Sequence, residues 1–211
     1  MKLFDLSHPL NNESPVYPGN EQPRFRPAAS IGIEGYRETH LEIDSHLGTH
    51  IDAPAHMLEN GMTLDQMPID TFSGNALIVS VPRNMKLIEK IFLLTFEDKL
   101  KAVDFVLFKT GWGKFWDSGH YFENFPVLSM EAVSWLLSFS LKGIGFDVIS
   151  ADPVDSVGWE NHYAILRNGL ILIENLTFPE DLTADAGKFS CFPIPFENAD
   201  GSPVRAVLEV V

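Results

Sequence analysis

The chain has 211 residues, 45 % of them hydrophobic and 11 % aromatic, which is ample for one core and short for two. Its 15 Lys and Arg stand against 29 Asp and Glu for a formal net charge of -14, and with no basic cluster anywhere this argues against a nucleic-acid-binding surface. A lone cysteine, Cys191, excludes an internal disulfide framework and fits a reducing compartment.

In chain order, Met1-Lys2-Leu3-Phe4-Asp5 meets an acid at once and lacks the apolar run of a signal peptide, and no later run approaches membrane-spanning length. A cytoplasmic protein that does not engage membranes is the expectation. A short strand ends at Leu6, and Ser7 to Pro18 is irregular, with Tyr17-Pro18-Gly19-Asn20 as a tight turn. Tyr17 on that loop either covers a pocket or packs on the surface. Ala76 to Val81 and Phe105 to Phe108 are apolar runs bounded by turn residues and read as buried strands. Lys86 to Leu100 holds at least one helical turn. Ser129 is placed to cap a helix over Met130 to Phe139, ended by Gly143. Ile144 to Ile149 reads as a strand interrupted by Asp147, Asn161 to Arg167 as a short helix ending at Asn168-Gly169, and Leu170 to Ile173 as a strand buried on both faces. Phe189 to Phe196 and Val204 to Val211 pair as strands about a turn at Asn198 to Ser202. Strands outnumber helices and helices fall between some of them, so the expected class is α/β or α+β, one domain over residues 1–211 with a mixed sheet.

The chemistry concentrates in His40 to His56, H-L-E-I-D-S-H-L-G-T-H-I-D-A-P-A-H. Polar and apolar residues alternate with a period of two, which predicts one extended strand with its imidazoles and carboxylates on one face, loosening near Pro54. A helix is disfavoured by Gly48 and Pro54 inside the run. Imidazole nitrogens and a carboxylate suit a borderline divalent ion, and three ligands with an open position suit a catalytic one. On that chemistry His46, His50 and Asp52 hold the ion, while Pro54 releases His56 from the sheet to move protons. The Thr49 hydroxyl can bond a neighbouring group on the strand. Glu174, directly after the apolar run, either meets a buried partner or opens a solvated loop, and His162 either reaches the same point or lies on the surface. If both reach the strand, the set can hold two ions about 3.5 to 4 Å apart. His8, His40 and His120 are left structural.

The run His46 to His56 matches H-x-G-T-H-x-D-x-P-x-H throughout. In this it resembles the cyclase-like metal hydrolases, whose members include bacterial kynurenine formamidases and isatin hydrolases. Weaker segments extend the resemblance: Asp5-Leu6-Ser7, Pro15-Val16-Tyr17-Pro18-Gly19, Thr110-Gly111-Trp112, Asp152-Pro153 and Gly201 to Ala206. The resemblance implies a swivelling β/β/α fold, a homodimer, and one or two divalent ions. It implies His46, His50 and Asp52 as ligands, His162 and Glu174 completing a second metal position, Asp52 and Glu174 bridging, and His56 as proton carrier. Tyr17 stands where similar formamidases place a tryptophan that contacts the substrate, keeping a ring and adding a hydroxyl. The expected activity is hydrolysis of an amide or formamide carbonyl by a metal-activated hydroxide, with an aryl formamide such as N-formylkynurenine as substrate and zinc, or else manganese, as the ion. Opening of a cyclic amide or lactone is the alternative within enzymes, and a metal-binding module without catalysis the alternative outside them.

Overall fold

The computed structural model describes residues 1–210. In chain order the strands and α-helices are β1 (Lys2–Asp5), β2 (Arg24–Ala29), α1 (Ile31–Glu34), β3 (Glu38–Glu42), β4 (His50–Asp52), β5 (Ser73–Ser80), β6 (Leu87–Ile88), α2 (Lys90–Leu93), α3 (Glu97–Leu100), β7 (Phe105–Lys109), β8 (Val127–Leu128), α4 (Met130–Leu136), β9 (Gly143–Phe146), α5 (Glu160–Arg167), β10 (Ile171–Glu174), β11 (Ala186–Ser190), β12 (Gly201–Pro203) and β13 (Val207–Val210).

Nine strands form one mixed sheet in the order β1-β13-β11-β5-β7-β9-β10-β4-β12. The four central strands β5, β7, β9 and β10 run parallel, and antiparallel pairs complete both sides. Parallel strands are buried on both faces, which is why their centres, Ala76 to Val79, Phe105 to Phe108 and Ile171 to Ile173, are apolar runs. Alternate residues separate cleanly: Leu77, Val79, Val106, Phe108, Ile144 and Leu172 pack on one face with α4 and α5, whereas Ala76, Ile78, Phe105, Leu107, Ile171 and Ile173 pack on the other with Phe4, Phe189 and Leu208. The result is the mixed α/β single domain that the element pattern predicts. Among the described residues no helix is long and apolar enough to cross a membrane.

Ser129 caps α4 as expected, its hydroxyl accepting from Ala132 N at 3.1 Å. Other expectations change. His40 to His56 is not one strand: β3 pairs with β2 in an exposed two-stranded ribbon, and β4 lies in the main sheet. Between them Gly48 adopts φ +65°, a left-handed turn that ends the period of two. Gly143 does not end α4. Asp104 O accepts from Lys142 N at 2.7 Å and from Gly143 N, which lays Gly143 beside β7 as the first residue of β9. Strand β9 stops at Phe146, because the next residue, Asp147, turns its carboxylate to Thr110 N, Thr110 Oγ1 and Gly111 N at 2.6 to 2.9 Å. The closing hairpin forms only in part. β11 pairs with β13 through Phe189 and Leu208 but ends at Ser190, since Pro193 and Pro195 have no N–H to continue a ladder. The expected turn residues Gly201 and Ser202 instead form β12 on β4, and Val211 lies outside the described residues.

Candidate metal centre

β4 is three residues long and wholly buried. Ile51 is packed into the core, so its neighbours His50 and Asp52 share the opposite face. Antiparallel pairing sets Glu174 of β10 directly across from His50, and cross-strand partners project to the same side. His46 comes from the loop before β4, and His56 from the 3-10 turn Pro54–His56 after it. His162 comes from α5, whose start is held by a non-local cap: the Asp152 carboxylate accepts from Asn161 N and His162 N, each at 3.0 Å. His162 and Glu174, more than a hundred residues later, thus converge with the His46 to His56 segment. Tyr17 joins them on the wall of a cavity of about 360 Å³, with its hydroxyl donating to Val154 O at 3.1 Å.

The polar atoms lie close together. His50 Nδ1 donates to Gly48 O at 2.8 Å, which turns Nε2 toward Asp52 Oδ1 at 3.3 Å and Glu174 Oε2 at 3.6 Å. His162 Nε2 lies 3.3 Å from Glu174 Oε1 and 3.8 Å from Asp52 Oδ2, while its Nδ1 is 2.6 Å from Asp152 Oδ2. His46 spans two carboxylates, Asp52 Oδ1 at 2.6 Å and Asp200 Oδ2 at 3.0 Å. His50, Asp52, His162 and Glu174 are each at most 4 % exposed. The Thr49 hydroxyl bonds across the sheet rather than along its own strand, donating to Asn175 O at 2.6 Å.

Such burial should discharge these groups, and two histidines do the opposite. Burial opposes the charge on His46, but Asp52 and the hydrogen bond to Asp200 outweigh it and lift its pKa to about 10. Burial likewise opposes charge on His162, and its bonds to Asp152 and Glu174 lift it to about 10. His56 goes the other way, lowered by burial and by the two charged imidazoles. The cluster is therefore short of positive charge without a cation. Asp52 Oδ2 is buried with no hydrogen-bond partner, an orphan that a bound ion would satisfy. Two donor groups, His50-Asp52-Glu174 and His46-Asp52-His56, each have ligand atoms within 4.8 Å of one another, and Asp52 belongs to both. The donor set fits a divalent ion of the zinc or manganese type.

All seven residues singled out in the sequence meet at this cavity. His40 and His120 are exposed and lie outside it, and His8 stacks on Trp116 at 4.1 Å. Three contributors were missed. Asp152 and Asp200 orient His162 and His46 through their outer nitrogens, and Trp159 lines the cavity beside Tyr17. Asp152 carries a signal, an acid in an Asp-Pro turn ten residues before His162. Asp200 carries none, because only the sheet order brings it to His46.

The chain is similar to known hydrolases along nearly its whole length. A kynurenine formamidase of Bacillus cereus (strain ATCC 14579) is 31 % identical over 211 residues, covering 99 % of this chain and 97 % of that enzyme. One of Paracidovorax citrulli (strain AAC00-1) is 30 % identical over 98 % of this chain and 95 % of its own length. Among solved structures, an isatin hydrolase bound to the product analogue thioisatinate superposes with a TM-score of 0.88 at 19 % identity, over 99 % of this chain and 92 % of its own. A structure described as a potential metal-dependent hydrolase with cyclase activity gives 0.82 at 27 % identity, over 98 % and 96 %. The family model described as "Putative cyclase" matches residues 4–153, which span β4 and all of the His46 to His56 motif. On that match and on relatives aligned end to end, the chain belongs to the cyclase family of hydrolases.

Proposed function

We propose that this protein is a metal-dependent amidohydrolase that cleaves an aryl formamide to formate and an arylamine, with N-formylkynurenine as the leading substrate. The observation that carries the reading is the convergence of four imidazoles, Asp52 and Glu174 in one cavity, where Asp52 Oδ2 is buried with no hydrogen-bond partner. The formamidase relatives at about 30 % identity support the substrate class.

His46, His50, Asp52, His162 and Glu174 would hold one or two ions, zinc ahead of manganese. A bound divalent ion supplies a water of pKa near 7 and polarises a carbonyl. The chain's own residues do the rest. Asp152 and Asp200 fix the rings of His162 and His46, so that their inner nitrogens face the centre. His56, neutral because its pKa is lowered, accepts the proton of the attacking water at a ring nitrogen and returns it to the departing amine. One water is consumed, and formate and the amine leave separately. The Tyr17 ring supports the aryl group from the cavity wall.

A cyclic amide or lactone is the second substrate class, supported by the cyclase activity in the description of the neighbour at 27 % identity. The purified protein is assayed for metal content and for turnover of aryl formamides, cyclic amides and lactones. Release of formate that stops on chelation and returns with zinc or manganese is expected. Ring opening without formate would move the substrate to the second class, and no metal-dependent turnover of any of them would reject the enzyme reading. We also propose a homodimer, supported by Ile31 and Ile33 of α1, Tyr36 after it and Leu41 of β3, which are all more than half exposed on the β2–α1–β3 excursion.

A further inference from the structure

Trp159 holds a backbone conformation that a bulky side chain avoids, φ 48° and ψ 43°. Such strain persists only where the surroundings enforce it. Here Trp159 N donates to Ser156 Oγ at 3.2 Å, Trp159 O accepts from Tyr163 N at 2.9 Å, and the Asp152 carboxylate pins the amides of Asn161 and His162 just beyond. A glycine or asparagine would take this position more easily, yet the chain carries its largest side chain there.

Packing does not account for the choice, since Trp159 joins neither core cluster. Its ring is half-buried on the wall of the cavity that holds the ligand cluster, 5.8 Å edge-on from His162. Tyr17 reaches the same wall from the N-terminal loop, 5.7 Å from Trp159 and tilted by 53°. The Tyr17 hydroxyl is engaged by Val154 O, which fixes the ring in place. Met57 and Ile149 continue an apolar lining beside them. Two aromatic rings at this separation and tilt make a cleft whose faces suit offset or edge contacts with a third, flat ring. An alkyl chain would gain only ordinary burial there.

We propose that Trp159 is a specificity-determining residue which, with Tyr17, forms two aromatic walls that select substrates carrying a planar aryl group beside the amide. The inference rests on the amidohydrolase reading of the same site. It goes further in naming which side chain makes the aryl preference and what part of the substrate that side chain reads.

The test compares formanilide with N-butylformamide on the metal-loaded protein and on two variants. Trp159→Asn tolerates the left-handed backbone and removes the ring, whereas Trp159→Phe keeps a ring. The aryl-over-alkyl ratio of kcat/KM should fall about tenfold in Trp159→Asn, through KM for formanilide, and should largely recover in Trp159→Phe. An unchanged ratio, or a loss shared equally by both substrates, overturns the proposal. If neither amide is cleaved even by the parent protein, the amidohydrolase reading fails, and titration calorimetry with formanilide as ligand still decides. Binding that weakens in Trp159→Asn and returns in Trp159→Phe supports the aromatic walls. Binding that is absent, or indifferent to the substitutions, rejects them.

Discussion

His56 is set apart from the other side chains of the cluster by what its ring nitrogens meet: among the described residues, no carboxylate oxygen lies closer than Asp200 Oδ2 at 3.9 Å. Every other imidazole there has a carboxylate within 3.3 Å. A side chain without such a partner is free to gain and lose a proton, although it also stands within ligand distance of His46 and Asp52. Substitution separates the two roles. His56→Ala is expected to keep its ion by elemental analysis and to lose about 10²- to 10⁴-fold in kcat. An active variant would remove His56 from proton transfer, and an ion-free one would make it a ligand. Asp52→Ala deletes the carboxylate common to both donor groups, and the expected result is loss of bound metal. Full occupancy in that variant would contradict the ligand role.

At the scale of elements, the centre is built where β10, β4 and β12 lie side by side, with α5 over the end of β10. β12 must be small at Gly201, because a Cβ there would overlap the His46 ring. Gly201→Ala should therefore displace His46, and Asp200→Asn should weaken its orientation. Both are expected to cost about 10- to 100-fold in metal affinity by competition with a chelating dye, with melting temperature little changed in Asp200→Asn. Affinity equal to the parent's in both would show that His46 needs no outer support. The sequence made β4 and β10 legible for different reasons. Ile171 to Ile173 is apolar on both faces, and His50-Ile51-Asp52 alternates, so the ligand face of each could be read locally. The loop carrying His46 was misread as strand because the alternation continues by coincidence across Gly48, where only a positive φ ends it. β12 was misread as a turn, because Gly201-Ser202-Pro203 has turn chemistry and becomes a strand only by pairing with a distant partner. Trp159 and Asp200 act through contacts between loops, which no local period encodes.

The whole molecule carries a pH dependence away from the centre. Burial beside Trp116 pushes His8 from 6.5 down to about 4, with Asp117 opposing. The unfolded chain takes up this proton near pH 6.5 and the folded chain only near 4, so between those values the unfolded state binds more protons and stability is lost as the pH is lowered. Melting temperature should decline from pH 6.5 toward 4, and His8→Gln should flatten part of that slope; parallel slopes would rule His8 out as the source. Assembly is tested on α1, between the ribbon strands β2 and β3. Ile33, 86 % exposed, is expected to tolerate Asp in the fold, and Ile33→Asp should sediment as a monomer where the parent is a dimer. A parent that sediments as a monomer would remove the dimer. The sheet order also bears on how the chain is made. β4, with His50, is synthesised within the first quarter of the chain, but its edge strand β12 and the carboxylate of Asp200 arrive only in the last dozen residues. An emerging polypeptide thus displays the histidine motif long before the sheet edge and the carboxylate that enclose His46 exist, so the proposed centre can be completed only when translation is nearly finished.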